Sequence, residues 1–199
     1  LTAAGAIILA KATLGEMGGG DTHGSLFGST RNPYALDRTV GGSSGGPAAA
    51  VAANLGAVAI GQEAMASIRR PSAWCNIVGM RPTSGLVSRS GVYMGWPGTQ
   101  ASLGPMTRTV RDAAILLDAL VGYDPEDPVT AMGVSQHAQS YVASLDAAAL
   151  RGARVGVLRE PMGVGTAPDS DDFMKVSAVF DSAVAEIASA GATVIDPVT

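Results

Sequence analysis

The chain is poor in the residues that metal, disulfide and membrane chemistry require. Among 199 residues it has one cysteine, Cys75, and two histidines, His23 and His137. A single thiol excludes an internal disulfide, and so few soft ligands make a His and Cys metal cluster hard to assemble. No metal is expected. Charged residues make up only 15%, too few for a disordered or highly solvated chain, while 47% hydrophobic residues suffice for one substantial core. With a net charge of −4 and 13 scattered Lys and Arg residues there is no basic stripe, so nucleic acid is not expected as a direct ligand. No apolar run nears the roughly 18 residues that cross a bilayer, and no charged n-region or cleavage site marks a secretory signal. A soluble, cytoplasmic chain without a membrane partner is the expectation. An initiator Met is also missing. The opening LTAAGAIILA and the closing ATVIDPVT both read as fold interior, as expected for a central segment of a longer protein.

What is present alternates between helix and strand patterns. AAGAIIL at 3–9 and SAGATVI at 189–195 share a helix stopped by Gly, at Gly5 or Gly191, followed by an aliphatic run suited to a buried strand. Before the second copy, Phe173, Val176, Phe180, Val184 and Ile187 make one helical stripe, with Asp169–Asp172 supplying caps and favourable charge. In TRTVRDAAILLDALVG, Thr109 and Asp112 resemble a capping box, and Val110, Ala113, Ala114, Leu117 and Leu120 form an inner face before Gly122. ARVGVL at 153–158 reads as a strand and YDPEDP as a polar loop. SRSGVYMGWPGTQASLGPM, punctuated by Gly and Pro, reads as a surface loop that either crosses between layers or rims a pocket. Together these predict an α/β fold with a substantial sheet flanked by helices.

The Gly and Ser run TVGGSSGGPAAA at 39–50 is the feature that bears on chemistry. A flexible tether would continue into polar sequence, but Pro47 suits the first turn of a helix and AAAVAANLGAVAIGQ continues as a small-residue helix and a strand. A phosphate loop needs a Lys after the last Gly, which is missing. Gly41–Gly45 formally satisfy G-x-S-x-G with Ser43 as nucleophile, yet the preceding NPYALDRTV is too polar for the buried strand that motif requires, and a triad would have to recruit His137. Ser67 lies 24 residues beyond Ser43, just after the strand-like GAVAIG, in a turn of small residues where a hydroxyl meets a cleft and backbone N–H groups can face an oxyanion.

GGSSGGPAAAVAANLGAVAIGQEAMASIRRPSAWCNIVGMRPTSGLVSR resembles the core of the amidase signature family, serine hydrolases of amides built on a Ser-Ser-Lys triad. The likeness covers about fifty residues closely and, more weakly, nearly the whole chain. It implies an α/β fold with a mixed twisted sheet flanked by helices, and residues 1–199 as one incomplete domain of that kind. It also implies that Ser67 is the nucleophile and Ser43 the bridging serine with a cis peptide bond. Backbone N–H groups of Ala64, Met65, Ala66 and Ser67 would hold the oxyanion, and Met17, Gly18 and Gly19 would line the acyl side of the cleft. The substrate would be a small-molecule amide, and homo-oligomerisation is left open. The family's catalytic Lys lies several dozen residues before the Gly and Ser run, upstream of Leu1. Lys11 matches a different family lysine at a strand end, and Lys175 reads as a solvated charge, so these 199 residues alone are expected to be inactive. The chain departs from the family's Gly-Gly before the nucleophile, with Ala64, Met65 and Ala66 in that turn, and Glu63 stands where the family has Asp. Glu63 is expected to anchor the turn by accepting backbone N–H bonds, Arg69 to be a structural anchor, Cys75 to be a buried inert thiol, and His23 to stand at the pocket mouth without being needed for the chemistry. Two readings from other classes stay open, a non-catalytic amidase-like protein or an esterase using Ser43 and His137; within the family a transamidase subunit is also open, though nothing in the residues indicates its partner subunits.

Overall fold

A helix begins within the Gly and Ser run, at Gly45, and its first turn tolerates Pro47, because the N–H that proline lacks has no intrahelical partner there. The computed structural model describes residues 1–92, 100–135 and 138–198, in two units, Leu1–Ser144 and Leu145–Thr199.

In the first unit, two short antiparallel hairpins come first: β1 (His23–Gly24) with β2 (Gly28–Ser29), and β3 (Arg31–Asn32) with β4 (Ala35–Thr39). Then follow α1 (Gly45–Ala52), β5 (Val58–Glu63), α2 (Arg69–Trp74), β6 (Val78–Gly79), β7 (Ser102–Thr107) and α3 (Val110–Leu120). The sheet has the order β5-β7-β6, all antiparallel, with β5 and β7 in register from Val58 opposite Thr107 to Glu63 opposite Ser102. Val40, Ala48, Ile68, Cys75 and Met106 are fully buried together and form the core. Val40 precedes the Gly and Ser run and Ile68 follows Ser67, so burial of about 1.5–3 kcal/mol per large side chain anchors the segments that hold Ser43 and Ser67.

The second unit pairs β8 (Arg154–Gly156) in parallel with β9 (Thr193–Ile195), joined by α4 (Asp171–Ser189). Ser170 caps α4 by accepting the Phe173 N–H. Arg159 spans to Asp181 and Asp196 at 2.6 and 2.5 Å and lies over the Phe180 ring. Among the described residues, no helix is long and apolar enough to cross a membrane.

Three expectations are corrected. Residues 6–9 do not form a strand, and Ile7 and Leu9 are 84% and 72% exposed; a strand exists only beside a hydrogen-bonding neighbour, and no described segment supplies one. The stripe on α4 runs through Ser177 rather than Val176, which faces solvent, and on α3 Leu116 is buried while Val110 is exposed. The segment read as a loop from Ser88 ends in β7, the central strand of the sheet. Gly104 and Pro105 hid it, since proline is a poor strand residue; here the Pro105 carbonyl still accepts the Met80 N–H at 3.0 Å. Of that segment, 93–99 lie outside the described residues.

Candidate active site

The Gly and Ser turn is packed, not flexible. Residues Val40–Ala48 are all buried, and a Cβ on Gly46 would collide with the backbone of Thr13, whose carbonyl accepts the Gly46 N–H at 3.1 Å. Thr22, buried beneath the turn, accepts the Gly45 N–H at 2.8 Å, and its hydroxyl lies 2.9 Å from the Gly41 carbonyl and 3.1 Å from that of Ser43. Gly15 also donates its N–H to the Ser43 carbonyl at 2.8 Å. The Gly42–Ser43 peptide is cis, as the family resemblance implies.

Ser44 ties this turn to the sheet. Its hydroxyl donates to the Gln62 carbonyl and accepts the Gln62 N–H, both at 3.0 Å. Its own N–H donates to the Ser67 carbonyl at 3.0 Å, so the segments carrying Ser43 and Ser67, 24 residues apart, are joined backbone to backbone. Ser43 is buried and Ser67 half-buried. Neither hydroxyl carries a hydrogen bond among the described residues, to the other serine or to anything else. Both oxygens are therefore uncommitted, and the contact between the two segments runs through the main chain.

Residues Ala64, Met65 and Ala66 leave the end of β5 in a turn whose backbone stays out of the left-handed region. The conformation here does not require glycine, so it accepts the side chains of Ala64, Met65 and Ala66. Met65 is 75% exposed and intrudes on nothing in the core. The N–H groups of Ala64, Met65, Ala66 and Ser67 have no hydrogen-bond partner among the described residues. Below the turn, fully buried Glu63 accepts the N–H groups of Ile68 and Arg69 at 2.8 and 2.9 Å and the Arg69 Nε at 2.7 Å. A carboxylate taking several such bonds is fixed in place, and these bonds set the direction in which the chain leaves Ser67.

The remaining sequence candidates divide. Met17 has φ 58°, and Met17, Gly18 and Gly19 form an exposed turn beside the buried Gly15. His23 is exposed and bonded to the Ser29 hydroxyl at 2.9 Å. Lys11 and Lys175 are both exposed. Cys75 is fully buried, and desolvation pushes its thiol up to about 11. His137, the partner in the esterase alternative, lies outside the described residues. Sequence reasoning missed Thr22, Ser44 and Arg70, whose importance comes from long-range contacts; only Ser44, embedded in the Gly-rich run, carried a local signal.

Over residues 1–199 the sequence matches the family described as Amidase. It is 41% identical over 197 residues to a glutamyl-tRNA(Gln) amidotransferase subunit of Thermosynechococcus vestitus, covering 98% of this chain and 39% of that protein. Among solved structures, the native peptide amidase of Stenotrophomonas maltophilia superposes with a TM-score of 0.85 at 40% identity, over 96% of this chain and 39% of that one. The corresponding glutamyl-tRNA(Gln) amidotransferase subunit of Thermotoga maritima does so with a TM-score of 0.77 at 34% identity, over 94% and 39%. The chain thus spans about two-fifths of the length of these relatives, and over that span the fold is shared.

Proposed function

The chain belongs to the amidase family, and from that premise we propose that it carries the nucleophile of a serine amidohydrolase cleaving a carboxamide C–N bond. On this reading residues 1–199 are part of a single amidase signature domain larger than the chain. Ser67 Oγ attacks the carbonyl carbon while its proton passes to Ser43 and on to a lysine amine, because a serine hydroxyl is a weak nucleophile until a base removes its proton. The N–H groups of Ala64, Met65, Ala66 and Ser67 hold the tetrahedral oxyanion, where each preorganised donor contributes about 2.7–4 kcal/mol. Collapse breaks the C–N bond, the amine leaves with a proton returned through Ser43, and water hydrolyses the acyl ester to the carboxylic acid. Met17, Gly18 and Gly19 border the acyl group. No cofactor enters any step.

The base must be a lysine held where its neutral form is populated, which requires desolvation. Exposed Lys11 and Lys175 do not meet that condition, so the reading takes the base from outside residues 1–199 and expects these residues alone to be inactive. The observation that supports the assignment best is the pairing of the two serine segments through the Ser44 N–H and the Ser67 carbonyl, beside four open N–H groups. A fluorophosphonate should label Ser67 in the whole protein, and Ser67→Ala should cut amide turnover by a factor on the order of 10⁶, as loss of the nucleophile does in a serine hydrolase. Unchanged turnover in Ser67→Ala would eliminate the assignment. Absence of labelling would favour a non-catalytic relative.

The 41% identity to an amidotransferase subunit favours a second reading, in which the same site works inside a hetero-oligomer. The mass of the native complex purified from cells separates the two: a monomer or homo-oligomer speaks for a free-standing amidase.

A further inference from the structure

We propose that Arg70 is a positioning residue that holds the bridging-serine turn and the acyl-side loop against the helix that follows the nucleophile; this rests on the roles given above to Ser67 and Ser43. Arg70 is in the first turn of α2, three residues after Ser67. Its Nε donates to the carbonyl of Gly42, the residue bonded to Ser43, at 3.2 Å. Its Nη2 donates to the Gly20 carbonyl at 2.6 Å and lies 3.3 Å from the Asp21 carboxylate. The guanidinium also stacks over the Trp74 ring, 5.5 Å from its centre.

One side chain thus joins three segments that the reaction needs in register: the turn bearing Ser43, the end of the Met17–Gly19 loop, and the helix behind Ser67. These surfaces already meet closely. A Cβ on Gly42 would lie 2.6 Å from the Gly20 carbonyl oxygen, and one on Gly41 would lie 3.0 Å from the Trp74 ring. The turn is therefore held between Trp74 and residues 20–22, with the guanidinium closing its open edge. Neighbouring Arg69 has a different task, since it pairs with Glu63 at 2.6 Å. A planar fork with several fixed donors reaches two carbonyls and a carboxylate while stacked on an indole, whereas an ammonium gathers its three donors at one point and has no flat face to stack. Arg70 touches no reacting atom. Its effect is on where Ser43 Oγ stands, and a displacement of about 1 Å in such a group costs roughly 10²-fold in rate.

The test follows Ser67 labelling by a fluorophosphonate in the whole protein, separating maximal labelling rate from probe affinity. In Arg70→Ala the maximal rate should fall roughly 10- to 100-fold with probe affinity little changed, and added methylguanidinium should restore part of it. Arg70→Lys keeps the charge and stem, so it folds even where the alanine variant does not, and its rate should still fall several-fold. Labelling of both variants at the wild-type rate overturns the proposal, as does a slow rate that methylguanidinium leaves unchanged in a protein of lowered melting temperature. Wild-type protein that resists labelling at Ser67 would instead remove the assignment of the nucleophile, and this inference with it.

Discussion

A methyl group at position 61 would have nowhere to go: it would lie 2.6 Å from Met106 Sδ, 2.9 Å from Ile68 Cγ1 and 3.1 Å from Ser44 Cβ. Met106 can shift, but Ile68 and Ser44 are the residues that seat Ser67 and the Gly and Ser turn. Gly61→Ala should therefore destabilise the first unit by about 1–3 kcal/mol, read by denaturant unfolding, and slow Ser67 labelling in the protein that remains folded. Thr22 acts on the other side of the turn. Thr22→Val keeps the shape but leaves the buried Gly45 N–H without its acceptor, a loss of about 1–3 kcal/mol measurable in the same way. Cys75 tests the core more simply. Fully buried, with its thiol pushed up to about 11, it should ignore a thiol reagent such as iodoacetamide at pH 8 and react only in denaturant. The serine separation and the SIRRP segment were legible at this scale because they are local in sequence. Arg70 was not, since the Gly20 carbonyl it binds is fifty residues away in the chain.

Elements are held by polar contacts that their own sequences do not announce. The polar loop before the 3₁₀ turn Pro128–Gly133 carries Asp127, whose carboxylate takes the Arg89 N–H at 2.9 Å and the guanidinium at 2.8 and 2.7 Å, both side chains being buried. Ser88 and Ser90 bond Asp124 and Glu126 beside it. The Arg89 guanidinium holds the Asp127 carboxyl down at about 2, below the roughly 3.9 of an unfolded chain. Its folded pKa being the lower one, this pair stabilises the fold fully above about pH 4–5 and the contribution is lost as pH falls toward 2. Asp127→Asn should cost about 3–5 kcal/mol at pH 7 by leaving a buried guanidinium without its counter-charge. Acid titration followed by circular dichroism should show the variant without the part of the pH dependence due to this group. Elements with strong periodicity and caps, α3 and α4, were legible from their residues. The strand β7 was not, because its place at the centre of a sheet is decided by β5 and β6 on either side, while its own Gly104 and Pro105 argue locally for a loop.

At the scale of the whole molecule, the chain shares the amidase fold over about two-fifths of its relatives' length, and many large apolar side chains face outward, among them Ile7, Leu9, Leu36 and Val179. Residues 1–199 expressed alone should bind a hydrophobic dye and fail to react with a fluorophosphonate at Ser67, whereas the whole protein should react; labelling of the isolated residues would show that no base from elsewhere is needed. The amino-acid sequence by itself determined the family, the spacing between Ser43 and Ser67 and the alternation of helix and strand, because spacing, caps and small-residue runs are properties of neighbouring residues. Tertiary structure alone decided which carbonyls Arg70 and Thr22 bind, that the turn before Ser67 needs no glycine, and that residues 6–9 form no strand. Those outcomes depend on how closely distant backbones approach, and that distance is set by packing rather than by any residue's own preference.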